Sequence, residues 1–139
     1  MSVSYWGIKG YGVNLDDVNK YIDNKKVNEI IRLLNPNITF EEYVFDDCTF
    51  YGDPYSSFGE FLSDLDDTGT LTWEDGGNSE KCYFLYVPPY PWQTKSNEPK
   101  SEKEIEDRII KTLLRICETN TDPEDIRKYI EYIDDYGCG

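Results

Sequence analysis

The residues best placed to do chemistry in this chain are glycines and acids. Gly7, Gly10 and Gly12 fall in "SYWGIKGYGVNL", just ahead of Asn14-Leu15-Asp16-Asp17, which has the look of a helix start. Their spacing, GxxGxG, is neither the dinucleotide fingerprint nor a phosphate loop ending in GK[ST]. Asp16 and Asp17 stand where a helix N-terminus would meet an anion and would repel phosphate, so the glycines are expected to serve the backbone. A closer fit to a known site is "DLDDTGTLTWED". It sets Asp64, Asp66 and Thr68 at positions 1, 3 and 5 of a calcium loop, Gly69 at 6 and Asp75 at 12. Position 12 lacks the longer bidentate Glu, and the residues beyond it have a strand pattern. Asp66-Asp67-Thr68-Gly69 also reads as plain turn chemistry leading into a strand.

The pairs Asp46/Asp47, Asp66/Asp67 and Glu74/Asp75 offer carboxylates for acid–base work, but adjacent acids on one strand point to opposite faces. There is no histidine, which removes the usual general base and the commonest nitrogen ligand for metals. Cys48, Cys82, Cys117 and Cys138 include no CxxC pair and suggest no zinc site. Cys117 lies in an apolar helical pattern and is expected in the core. No cofactor is expected, and the chain is not expected to be an enzyme.

Charge is the strongest feature. The net charge is −14, and from Leu33 to Glu80 there is no Lys or Arg against twelve acids. Phe40, Tyr43, Phe45, Phe50, Tyr51, Tyr55, Phe58, Phe61 and Trp73 are interleaved with those acids. Such a field disfavours nucleic acid and anionic membrane as partners and steers toward cationic ones. A basic protein that itself holds nucleic acid is the partner whose Lys and Arg side chains would meet carboxylates in place of phosphates. The expected contact residues are Asp46, Asp47, Asp53, Asp64, Asp66, Asp67, Glu74 and Asp75. Tyr90 and Trp92, at the end of the proline-broken run Tyr83 to Trp92, join them as aromatic anchors.

These residues must be positioned by elements, and 139 residues suffice for one domain with a core. Residues 3–13 read as a strand, ended by an Asn14 cap. Residues 15–34 read as a helix, bent around Asp23-Asn24 and stopped by Asn35-Pro36-Asn37. Over 38–45 a short helix capped by Thr39 competes with an edge strand, and short helical pieces are favoured; Ser56-Ser57 opens another through Leu65. Residues 70–75 and 81–88 form an antiparallel hairpin across "GGNSE". Ser101 and Glu104 form a capping box ahead of the stripe Ile105, Ile109, Leu113, Ile116, with Glu104/Arg108 and Asp107/Lys111 as exposed pairs. Asp122-Pro123 starts a last helix with Ile126, Tyr129, Ile130 and Ile133 facing inward, ended by Gly137. The expected fold is α+β: a single domain, residues 1–139, with a three- or four-stranded mainly antiparallel sheet covered on one face by helices. Tyr5, Trp6 and Tyr11 are expected as core or contact aromatics. The first residues lack a signal-peptide pattern and no apolar run is long enough to span a bilayer, so the cytoplasm is the expected location with the cysteines reduced.

In size, acidity and lack of catalytic residues the chain resembles phage-encoded inhibitors of bacterial defence, such as anti-CRISPR proteins that occlude DNA sites on a Cas nuclease. The resemblance implies a stoichiometric inhibitor that acts as a DNA mimic in the cytoplasm of a bacterial host cell, competing with nucleic acid at a Lys/Arg-lined channel. An immunity protein against a basic nuclease toxin meets the same requirements. A calcium-binding module built on Asp64 to Asp75 and a carboxylate-based metal-dependent hydrolase are the alternatives from other classes.

Overall fold

In the computed structural model, residues 3–34, 58–77 and 81–139 are described. The expected cap is in place. Strand β1, Tyr5–Asn14, ends where the Asn14 side chain accepts the backbone N–H of Asp16 at 3.1 Å, opening the short helix α1, Leu15–Val18. The helix expected over 15–34 is divided. A 3-10 turn at Asn19–Tyr21 leads to an extended Ile22, which bridges Cys117, and Asp23 donates its N–H to Ile116 O at 2.8 Å. Asp23 Oδ1 then accepts Lys25 N–H at 2.9 Å, and helix α2 runs over Asn24–Leu34. The break lies at the bend the sequence suggests, and Tyr21 O accepts Glu118 N–H at 2.9 Å there. The helix stop at 35–37, the choice between helix and edge strand over 38–45, and Asp46, Asp47 and Asp53 lie outside the described residues.

Helix α3, Phe58–Leu65, buries Phe58, Phe61, Leu62 and Leu65. The expected hairpin is present as β2, Thr72–Asp75, antiparallel to β3, Cys82–Tyr86. Helix α4, Glu102–Leu114, starts at Ser101, whose Oγ accepts Glu104 N–H at 3.2 Å. The return bond of the capping box is shifted by one residue, because the Glu104 carboxylate accepts from Lys100 N–H at 2.8 Å. Glu104 pairs with Arg108 at 2.9 Å as expected, whereas Asp107 and Lys111 find other partners: Asp107 accepts from Arg127 at 2.8 Å and Lys111 meets Asp67 at 3.0 Å.

The last helix is corrected. Helix α5 covers only Pro123–Arg127, and Glu131–Cys138 forms strand β4, paired antiparallel with Tyr5 to Gly12 of β1. Strand β3 pairs with β1 only from Tyr11 to Asn14, so the first half of β1 has just one neighbour to take its backbone groups. Gly137 does not end a helix; it lies under the Trp6 ring, where a Cβ would come within 2.5 Å of the indole.

The result is an α+β architecture with an open antiparallel sheet in the order β2-β3-β1-β4. One face carries the main core, where Val13, Phe84, Phe58, Phe61, Ile109 and Leu113 are buried with the helices. The other face holds a second cluster of Ile8, Tyr83, Leu85 and Ile133 beside Trp6. Gly10 and Gly12 let β3 lie close over this side of β1, since a Cβ on either would come within 2.5 Å of Tyr86 O or Leu85 Cα. Beyond β2 the chain turns back onto the far strand. Cys138 donates its N–H to Gly76 O at 3.1 Å, and Trp6 Nε1 donates to Asp75 O at 3.0 Å. The ends of the two edge strands thus meet at one corner, which explains why all five residues of β3 are buried. No described helix is long and apolar enough to cross a membrane.

Candidate protein-docking surface

The acidic stretch between α3 and β2 separates into inward and outward carboxylates. Asp66 is buried, and its carboxylate organises the turn: Oδ1 accepts Thr68 N–H at 3.0 Å and the Thr68 hydroxyl at 2.6 Å, while Oδ2 accepts Thr70 N–H at 3.0 Å and Leu71 N–H at 2.9 Å. Expected on the contact surface, Asp66 instead spends its acceptors on the turn that aims its neighbours. Gly69 provides the positive φ, 66°, that this turn needs. Asp67 is half-exposed between Lys111 at 3.0 Å and Arg115 at 3.2 Å, and the bond from Lys111 holds its carboxyl below the ordinary range. Its charge is matched within the protein and clamps the turn to α4.

Asp64 and Asp75 are exposed and Glu74 is half-buried, with its carboxyl pushed up by burial. Asp75 Oδ1 accepts Gly77 N–H at 2.7 Å. Thr68 therefore serves Asp66, Asp75 serves the next turn, and among the described residues no three His, Cys, Asp or Glu side chains converge at metal-binding distance.

Tyr90 and Trp92 form the most exposed aromatic feature on the β3–α4 connection. Their rings stack with centroids 4.9 Å apart and planes 4° from parallel, while 64% and 79% of these residues is open to solvent. Pro91 at the first position of the 3-10 turn Pro91–Gln93 fixes the backbone between them. Two pre-stacked rings lose little rotamer freedom on docking, which suits an interface anchor.

A third feature escapes sequence reading. A cleft of about 260 Å³ opens between the β1–β4 ribbon, the proline-rich connection and the start of α4, and it is lined by Tyr11, Tyr86, Tyr132, Pro88, Lys100 and Ile105 among others. Each tyrosine donates its hydroxyl to a glutamate: Tyr11 to Glu106 at 3.0 Å, Tyr86 to Glu98 at 2.7 Å and Tyr132 to Glu102 at 2.8 Å. Burial first, and then the carboxylate, pushes the Tyr11 and Tyr86 hydroxyls up to about 12. Glu102 raises Tyr132 through the hydrogen bond. The spacing of Glu98, Glu102 and Glu106 was available in the sequence, but Tyr132 reaches this face only because residues 131–138 are a strand.

Among the described residues, then, the expected contact set divides. Asp64, Asp67, Glu74, Asp75, Tyr90 and Trp92 face outward at least in part, Asp67 with its charge matched by Lys111 and Arg115, and Asp66 is turned inward. Comparison with protein-family models, with curated proteins and with solved structures finds no match to this chain.

Proposed function

We propose that the protein is a stoichiometric protein-binding inhibitor, anti-CRISPR-like in its mode, whose acidic surface competes with nucleic acid at a basic groove of a Cas nuclease or another nucleic-acid-binding protein. The observation that carries this reading is the run of 48 residues from Leu33 to Glu80 with twelve acids and no base. In the described part of that run, Asp64 lies on α3 and Glu74 and Asp75 on β2, the two elements joined by the turn that Asp66 organises. Exposed carboxylates together with exposed aromatics match what a Lys/Arg-lined groove requires: opposite potential for approach and rings for tight contact. Nothing in the proposed action calls for catalysis.

The calcium reading loses ground on one observation, the four protein donors that fill the Asp66 carboxylate. The immunity-protein reading shares the same surface physics and differs only in the partner.

The test combines salt and substitution. Affinity for the basic partner should fall steeply between low and high salt, because exposed charges beyond roughly 10 Å are screened at 0.1 M. The triple variant Asp64→Asn/Glu74→Gln/Asp75→Asn should bind about tenfold more weakly and keep its fold, since each replaced group is at least partly exposed. Binding insensitive both to salt and to these substitutions would discard the proposal.

A further inference from the structure

We infer that the tyrosine-lined cleft at the start of α4 is an aromatic cage for a cationic side chain, an arginine presented by a protein partner. This deepens the reading above and rests on it for the basic character of that partner. At about 260 Å³ the cleft is smaller than the roughly 300–1,000 Å³ of small-molecule and cofactor sites, and it suits a single side chain.

Its chemistry selects the charge of that side chain. The rings of Tyr11, Tyr86 and Tyr132 line it, and aromatic faces attract cations through their quadrupole. All three hydroxyls are committed to carboxylates, which restrains the rings and sets Glu98, Glu102 and Glu106 at their hydroxyl edges. A cation in the cleft is attracted both by the tyrosine rings that line it and by the carboxylates at their hydroxyls; a phosphate or carboxylate would meet the same three acids as repulsion. Glu106 is shared with Arg127 at 3.1 Å, so the less encumbered negative charge comes from Glu98 and Glu102. Lys100 also lines the cleft, but it is an exposed residue whose ammonium can remain in water. Tyr11 and Tyr132 stand 4.8 Å apart with planes 59° from parallel, forming a corner and not a closed stack. A planar guanidinium fits against such a wall better than a compact, strongly hydrated ammonium.

The test uses the full chain and a short Gly/Ser peptide carrying arginines, titrated while backbone amide NMR shifts are followed. The expected result is saturable shifts centred on Tyr11, Tyr86, Ser101 and Tyr132. Affinity should drop about fivefold when citrulline, the neutral isostere, replaces arginine, and similarly for Tyr132→Leu, which keeps apolar bulk without the π face. Tyr132 is 71% exposed, so this variant folds. Glu102→Gln, also exposed, removes a charge while leaving every ring, and should weaken the arginine peptide but not the citrulline one. Equal affinity for the two peptides, or arginine-dependent shifts centred on the 64–75 turn, would overturn the cage. A cage that fails in a chain that still displaces nucleic acid from its partner counts against the cage alone. A working cage in a chain that displaces none counts against the proposed function alone.

Discussion

Asp135 shows how one carboxylate can join distant parts of the chain. It accepts the Tyr83 hydroxyl at 2.5 Å and meets Lys81 at 3.2 Å, tying β4 to β3 across the smaller core. The Tyr83 bond, followed by the backbone N–H of Tyr136, holds the Asp135 carboxyl below its ordinary value. The unfolded chain therefore takes up this proton first, near pH 4. The contribution is full above that pH and is lost as the pH falls through the lower folded value. Asp135→Asn should cost about 1 kcal/mol in urea unfolding at neutral pH and flatten part of the acid limb; an unchanged midpoint would refute this role. Cys117 behaves differently, because burial pushes its thiol up to about 11. At neutral pH iodoacetamide should leave Cys117 unmodified in the native protein and modify it after denaturation, as read by peptide mass spectrometry. Its burial was legible from the apolar stripe around it. The inward turn of Asp66 was not, because charge alone places an acid on the surface and only the local geometry brings three backbone N–H groups and the Thr68 hydroxyl to its two oxygens.

At the scale of elements, the glycines of β1 separate two kinds of position. A Cβ at Gly7 meets nothing within 4 Å, whereas one at Gly12 would strike the β3 backbone. Gly7→Ala should be neutral or stabilising by up to about 1 kcal/mol, and Gly12→Ala should destabilise by about 3 kcal/mol or more, both by chemical denaturation. Equal effects would show that β3 does not lie over Gly12. The same ribbon shows why some elements could be read and others could not. The β2–β3 hairpin is local, and its turn and alternation stand side by side in the sequence. Strand β4 is not: Ile126, Tyr129, Ile130 and Ile133 fit helical spacing, and Tyr132, Asp134 and Tyr136 fit alternation equally well. The choice is made by Tyr5 to Gly12, well over a hundred residues earlier, whose backbone groups need a partner. Trp6 over Gly137 then fixes the register, a contact no local pattern announces.

Across the whole molecule, charge dominates. A net charge of −14 opposes compaction by self-repulsion, and the nine ion pairs found among the described residues relieve only part of it. Raising sodium chloride from low to moderate concentration should therefore raise the melting temperature, and a fall would mean that the internal pairs outweigh the repulsion. The base-free acidic run was visible in the sequence, and so was the α+β class. Which of its acids are matched by bases was not, since Lys111 and Arg115, which pair with Asp67, lie more than forty residues away. Persistent repulsion in a small chain is consistent with selection for something outside it, and under the proposed function that something is a basic groove. The most direct measurement immobilises the protein, passes bacterial lysate over it and challenges what is retained with duplex DNA. A basic nucleic-acid-binding protein should be held and then released by the DNA, and less should be held by the Asp64→Asn/Glu74→Gln/Asp75→Asn variant. Retained proteins that bind no nucleic acid, or that duplex DNA cannot displace, would contradict the account.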